Sequence, residues 1–232
     1  MQLAALVVAA GLFGSTSAFA ALDSGKTLWD SCNDPNDTSK QSYCLGYVAG
    51  VSDVLVGMHI ICIGEHVSVR QIADVVVQYL REHPGRRDMD ADDLTATALA
   101  LAFSLQIAGS QRVSRGGLSM RLRILVLAAG LLWPVSSYSQ GPGQEYFFKT
   151  GNVLLENCSA PPSSAPYIAC FSYIAGVADA ISMVRFACTP LNANELQTID
   201  VVLESLRAHP ETRQDAAAGE VALALKQAFP CK

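Results

Sequence analysis

Charge is what this chain has least of. Only 16% of its 232 residues are Asp, Glu, Lys or Arg, and the formal net charge is −5. No basic stripe is available to meet phosphates, which argues against a nucleic-acid binder. Catalytic signatures are missing too: there is no G-x-S-x-G, H-E-x-x-H, P-loop or dinucleotide glycine pattern. The chain has seven cysteines but no Cys-x-x-Cys pair, which weakens both a zinc site and a dithiol redox centre. No cofactor and no metal are expected. No segment alternates cleanly at period two, so the chain reads as all-α.

What is there is a duplication. Cys44-Leu-Gly-Tyr-Val-Ala-Gly-Val-Ser-Asp53 returns as Cys170-Phe-Ser-Tyr-Ile-Ala-Gly-Val-Ala-Asp179, an offset of 126 residues. The same offset carries Cys32 to Cys158, Cys62 to Cys188, and Leu80-Arg-Glu-His-Pro84 to Leu206-Arg-Ala-His-Pro210. Solenoid periods run to about 50 residues, so this is a duplicated domain and not an array. Two copies fit the length, each with enough chain for a small core.

Two apolar stretches lie outside the repeats. Residues 1–20 read as a signal peptide, with an apolar run from 4 to 13 and Ala18-Phe19-Ala20 as a cleavage pattern. In mid-chain, Met120-Arg-Leu-Arg123 precedes an apolar run over 124–135, and Ser137-Tyr138-Ser139 offers a second cleavage pattern. A membrane span needs about 20 apolar residues. This run is shorter and holds Gly130 and Pro134, so it reads as a second signal-like segment. The expected layout is a signal at 1–20, a first domain at 21–107, a junction at 108–139 and a second domain at 140–232. Two neighbouring exported proteins joined into one chain would produce it. Membrane contact is expected only through uncleaved signal-like segments.

Each copy is expected to be a small disulfide-bonded domain of about four to five helices, four of which can be placed, with the hydrophobic signal-like segment as a helix joining the copies. The first covers 24–32 and 150–158, followed by polar connectors at 33–40 and 159–166 that carry proline. The second runs from about 42 to 59 and from about 167 to 185. Gly50 and Gly176 sit inside it, each costing about 1 kcal/mol against alanine, and close approach of another helix would explain them. The third opens with Ser68-Val-Arg-Gln71 and Asn194-Glu-Leu-Gln197, both capping-box patterns, and closes at His83-Pro84 and His209-Pro210. The fourth covers about 92–105 and 216–229, and the acidic run 88–93 reads as a helix start.

The second copy has four cysteines, Cys158, Cys170, Cys188 and Cys231, an even count that implies disulfides in an exported domain. Three pairings are open. Cys158–Cys170 with Cys188–Cys231 is favoured, at about 3 and 4 kcal/mol in the chain-entropy model. In the first copy Cys32 and Cys44 stand in the same register, but the fourth cysteine is missing and Cys62 is left unpaired unless it bonds another chain. The first copy is therefore expected to be the less stable.

Asp53 and Asp179 recur in the second helix, and His83 and His209 end the third. An Asp–His pair could serve catalysis. With no companion nucleophile, a histidine capping helix carbonyls, held by the aspartate, is favoured. His59 and His66 are replaced in the second copy by Arg185 and Asn192, which argues against a duplicated metal site.

Both copies resemble the Rap/Tai family of periplasmic immunity proteins, which protect bacteria from type VI secretion amidase effectors. The resemblance rests in the second copy on Gly151-Asn-Val-Leu-Leu-Glu-Asn-Cys158, on Cys170 with Tyr173, Gly176 and Asp179, on Cys188-Thr-Pro190, on Gln197, on Leu206-Arg-Ala-His-Pro210 and on Ala228-Phe-Pro-Cys231. The first copy follows the same positions, Tyr47, Gly50, Asp53, His83 and Pro84 among them, up to Phe103. It departs at Ile63-Gly64 and at the lost Pro-Cys ending. The resemblance implies a compact disulfide-bonded helical domain, a homodimer in many members, and no enzymatic activity. It implies inhibition by direct binding to a peptidoglycan amidase, through a variable loop such as 159–166 or 189–192. The rival reading is a small helical periplasmic chaperone or stress protein, for which the charged fraction is low and the cysteines are many.

Overall fold

The computed structural model describes residues 23–64, 66–103, 150–190 and 193–232. The signal at 1–20, its cleavage after Ala20, and the junction at 108–139 lie outside the described residues. The described residues form eight α-helices and no strand longer than an isolated bridge between Ser24 and Asp90. The first copy contributes α1 (Gly25–Cys32), α2 (Thr38–Gly57), α3 (Val69–Glu82) and α4 (Ala91–Phe103). The second contributes α5 (Gly151–Cys158), α6 (Ala165–Met183), α7 (Glu195–Ala208) and α8 (Ala217–Ala228).

The helix starts show why the elements recur. Ser24 caps α1 by accepting from the Thr27 N–H, and Thr150 caps α5 by accepting from Val153. Each capping residue satisfies a donor that the first turn leaves without an intrahelical partner. Ser68 with Gln71 and Asn194 with Gln197 form complete capping boxes at α3 and α7. The second helices begin earlier than the connectors suggest, at Thr38 and Ala165. Their caps are Asp37 and Ser164. Pro166 falls in the first turn of α6, where a missing N–H costs nothing. Both second helices are followed by a residue at positive φ, His59 at 57° and Arg185 at 56°, which turns the chain away.

Each copy packs its three other helices around its long second helix, and α2 and α6 then pack on each other. The two copies consequently do not keep separate cores. Leu28, Tyr47, Val51, Leu80 and Leu99 of the first and Leu154, Tyr173, Val177, Leu206 and Leu225 of the second belong to one continuous buried cluster. α6 is apolar and long enough to cross a membrane, yet 67% of its most apolar window is buried inside the fold. Its hydropathy follows from being wrapped on nearly all sides.

Candidate interface between the two copies

The cysteines tie each long helix to its neighbour. Cys32 is bonded to Cys44 with their Cα atoms 5.0 Å apart, joining α1 to α2. Cys158 is bonded to Cys170 at 5.3 Å, joining α5 to α6. Cys188 is bonded to Cys231 at 4.9 Å, which pins the chain end beside the segment that follows α6. The first copy keeps the matching backbone bond, from the Cys62 N–H to the Phe103 carbonyl at 3.1 Å, against 2.8 Å from Cys188 to Phe229. It has no second disulfide there, and Cys62 is a free, exposed thiol.

The recurring stretch forms the seam where the copies meet. A Cβ placed on Gly50 would collide with the Tyr173 carbonyl oxygen and lie 2.9 Å from the Val177 nitrogen. One placed on Gly176 would collide with the Tyr47 carbonyl oxygen. One turn before Gly50, Gly46 faces Ser172 and the Ala169 carbonyl. Backbone therefore lies directly on backbone, and only a residue without Cβ fits. The pattern is reciprocal: Tyr47 and Tyr173 are equivalent under the 126-residue offset, as are Gly50 and Gly176. Each glycine receives the other copy's tyrosine.

Two hydrogen bonds repeat that reciprocity. The Tyr47 hydroxyl donates to Asp179 Oδ2 at 2.7 Å, and the Tyr173 hydroxyl donates to Asp53 Oδ2 at 2.7 Å. Both tyrosines are fully buried. Loss of water around the rings, with the facing carboxylate added, holds both phenols well above their usual range, so each stays a donor. Burial raises the Asp53 carboxyl to about 6, opposed in part by the Tyr173 bond.

Around Tyr47 the seam holds further carboxyl groups, Asp23 and Asp92. Asp23 takes a hydrogen bond from Tyr43. Burial, then the nearby Glu195 of the second copy, pushes Asp23 up to about 7. Asp92 is buried at the start of α4 and is raised by that burial to about 6. Its Oδ1 and the hydroxyl of Thr95 one turn on are buried without a protein partner. The equivalents of Asp92 and Thr95 are Ala218 and Val221, so this polar group belongs to one side of the seam only.

The two aspartates do not hold the histidines. His83 Nδ1 lies 2.8 Å from the Tyr79 carbonyl and His209 Nδ1 lies 3.0 Å from the Ser205 carbonyl, each within its own helix. The capping role is present, but Asp53 and Asp179 bond the tyrosine of the opposite copy instead. A tyrosine reaches across a helix pair with its hydroxyl, whereas each histidine is already committed to the last turn of α3 or α7. Pro84 and Pro210 follow those caps and stop the helices. Among the described residues, no group of three or more His, Cys, Asp or Glu side chains could hold a metal ion.

The signal that the sequence reading passed over is the pair Gly46-x-x-x-Gly50 and Ser172-x-x-x-Gly176. Small residues four apart let two helix backbones approach. Both copies carry the pattern on the same helix, with a tyrosine and an aspartate flanking the second small residue.

Of the loops considered for partner binding, 159–164 is largely exposed and holds Ser163 at a φ of 69°. In the other, Pro190 is exposed but Thr189 is buried, and residues 191–192 lie outside the described set.

A family model described as Rap1a immunity proteins matches residues 24–104 and again residues 150–231. No curated protein and no solved structure matches the chain.

Proposed function

The chain belongs to the Rap1a immunity protein family through both of its halves, and from that membership we propose that it neutralises a peptidoglycan amidase effector of type VI secretion by direct binding in the periplasm. The observation that carries this reading is the double family match over the two helical copies. The internal geometry supports it. The recurring Tyr, Gly, Asp and His positions are all occupied with packing, inter-copy hydrogen bonds and helix capping. None is left over as a reactive group in an open cleft. What remains is a disulfide-tied helical body with an exposed loop at 159–164, suited to blocking another protein's active site.

Three disulfides agree with an oxidising compartment, reached in this reading by the export signal at 1–20. The exposed 159–164 loop is the segment we assign to partner contact. The seam supplies within one chain the two-copy arrangement that a homodimer would otherwise supply.

The test is a titration. The purified chain is added to a type VI amidase from a strain that encodes this chain, and peptidoglycan cleavage is followed. Stoichiometric loss of cleavage supports the proposal. Unchanged turnover at a large excess of the chain removes it, and suppression of aggregation of unrelated clients would then favour the chaperone reading.

A further inference from the structure

The seam is two-fold in plan but not in every contact. Equivalent residues face each other twice along it. At Gly50 and Gly176 they are the same: a Cβ on Gly50 would lie 3.2 Å from the Gly176 carbonyl carbon. One turn earlier they differ, for Gly46 of α2 meets Ser172 of α6, its counterpart under the repeat offset. The Ser172 side chain is fully buried. Its hydroxyl turns back onto its own helix, 2.9 Å from the Ile168 carbonyl oxygen and 3.2 Å from that of Ala169. That bonding holds the side chain in the space that Gly46 leaves open. A Cβ added at Gly46 would collide with Ser172 Oγ and with the Ala169 carbonyl oxygen.

A two-fold contact between identical faces pairs each central residue with itself, so a seam of this plan joins like copies as readily as unlike ones unless something intervenes. Two features intervene. Between two second copies Ser172 would face Ser172, placing a Cβ and a hydroxyl where only glycine now fits. Between two first copies Gly46 would face Gly46 and leave a gap the size of a hydroxymethyl group. That pair would also bury a polar group twice. Asp92 Oδ1 and the Thr95 hydroxyl are buried with no partner among the described residues, and the second copy has Ala218 and Val221 instead. An unpaired buried polar group is destabilising, and the unlike pair carries this one once. We propose that the seam selects unlike copies: Gly46 and Ser172 set the choice, so that the α6 face takes a first copy and rejects another second copy. The rejection is a built-in clash, a common means of separating closely similar partners.

The test is made in the full chain, where single substitutions imitate the like pairs. Gly46→Ser gives the seam the contact of two second copies, and Ser172→Gly gives it that of two first copies. In denaturant unfolding, Gly46→Ser should lower the folding equilibrium constant by about tenfold or more. Gly57→Ser, at the exposed end of the same helix with open space around it, should stay within about twofold of the parent. Ser172→Gly should lower the constant by about threefold or more. The two seam changes together restore an unlike pair with the roles exchanged. Ser172→Gly should therefore strengthen the Gly46→Ser chain by about tenfold, although it weakens the parent. Should Gly46→Ser fail to fold, the doubly substituted chain must still fold cooperatively. A Gly46→Ser chain as stable as the parent overturns the selection. So does a Ser172→Gly chain more stable than the parent, and so does a doubly substituted chain no more stable than Gly46→Ser alone.

Discussion

The two copies are built on one plan and closed in two ways. Both have a first disulfide between the short opening helix and the long one, Cys32–Cys44 and Cys158–Cys170. Only the second pins its end, through Cys188–Cys231. In the first copy the residues at and just beyond the end of the long helix, Val56, Met58 and Ile60, are exposed, whereas their counterparts Ser182, Val184 and Phe186 are buried or half-buried. Phe186 also lies under the Lys226 ammonium, 4.3 Å from the ring centre. The difference teaches what the second disulfide does: it holds the chain end against the turn that leaves the long helix. Where it is missing, the backbone bond between Cys62 and Phe103 persists and apolar side chains are left facing solvent.

Erasing that distinction should have the largest effect. The double substitution of Cys188→Ser with Cys231→Ser opens a long loop, and the chain-entropy model puts its cost at about 4 kcal/mol. Differential scanning calorimetry under oxidising conditions should show the loss, whereas Cys62→Ser should leave the profile unchanged. The reverse change sharpens the comparison. Leu105→Cys restores the position equivalent to Cys231, and its pairing with Cys62 should raise stability by up to about 4 kcal/mol. Mass spectrometry would show eight hydrogens fewer than the fully reduced sum, two beyond those that the three existing disulfides remove, and the gain should vanish under reductant.

The seam should respond identically from either side, because one interface serves both copies. Gly50→Leu and Gly176→Leu should each cost about 3 kcal/mol or more in denaturant unfolding, since the added side chain meets backbone that cannot give way. Unequal costs would show that one copy carries more of the contact. The tyrosines should be less even. Tyr47→Phe withdraws a hydroxyl from Asp179, which is 2% exposed, while Tyr173→Phe withdraws one from the half-buried Asp53. Both should destabilise by about 1–3 kcal/mol, the first by more, because the more deeply buried carboxyl has less access to replacement water.

The smallest contrast is at the helix ends. His83 bonds the Tyr79 carbonyl and also stacks on the Tyr79 ring, with centroids 4.2 Å apart. His209 bonds the Ser205 carbonyl at a more exposed site. His83→Ala should cost about 1 kcal/mol and His209→Ala about half as much, in the range of a single helix-terminal hydrogen bond. Thermal unfolding of the two variants beside the parent decides the order.

Much of the fold was legible in the sequence because its determinants are local. Ser68 with Gln71, Asn194 with Gln197, and the His-Pro endings each act within a few residues, and both capping boxes and both stops stand in the structure. The repeat offset settled the correspondence between copies. The connector boundaries were harder to place. A proline in a polar stretch marks a break in a helix and also suits a first turn, and Pro166 takes the second role.

The partners of the recurring residues were decided by tertiary structure alone. Glycine within a helix announces that something comes close, and a buried aspartate announces that something must bond it, but neither says which chain segment answers. Asp53 and Asp179 could have met the histidines of their own copies at no cost in sequence pattern. They meet tyrosines 120 and 132 residues away. The physical reason is that hydrogen bonding and close packing constrain distance in space, not separation in sequence. Two copies with the same small-residue helix can satisfy both demands on each other by a single reciprocal contact. The sequence determined that every element exists twice; only the folded chain decided that each copy completes the other.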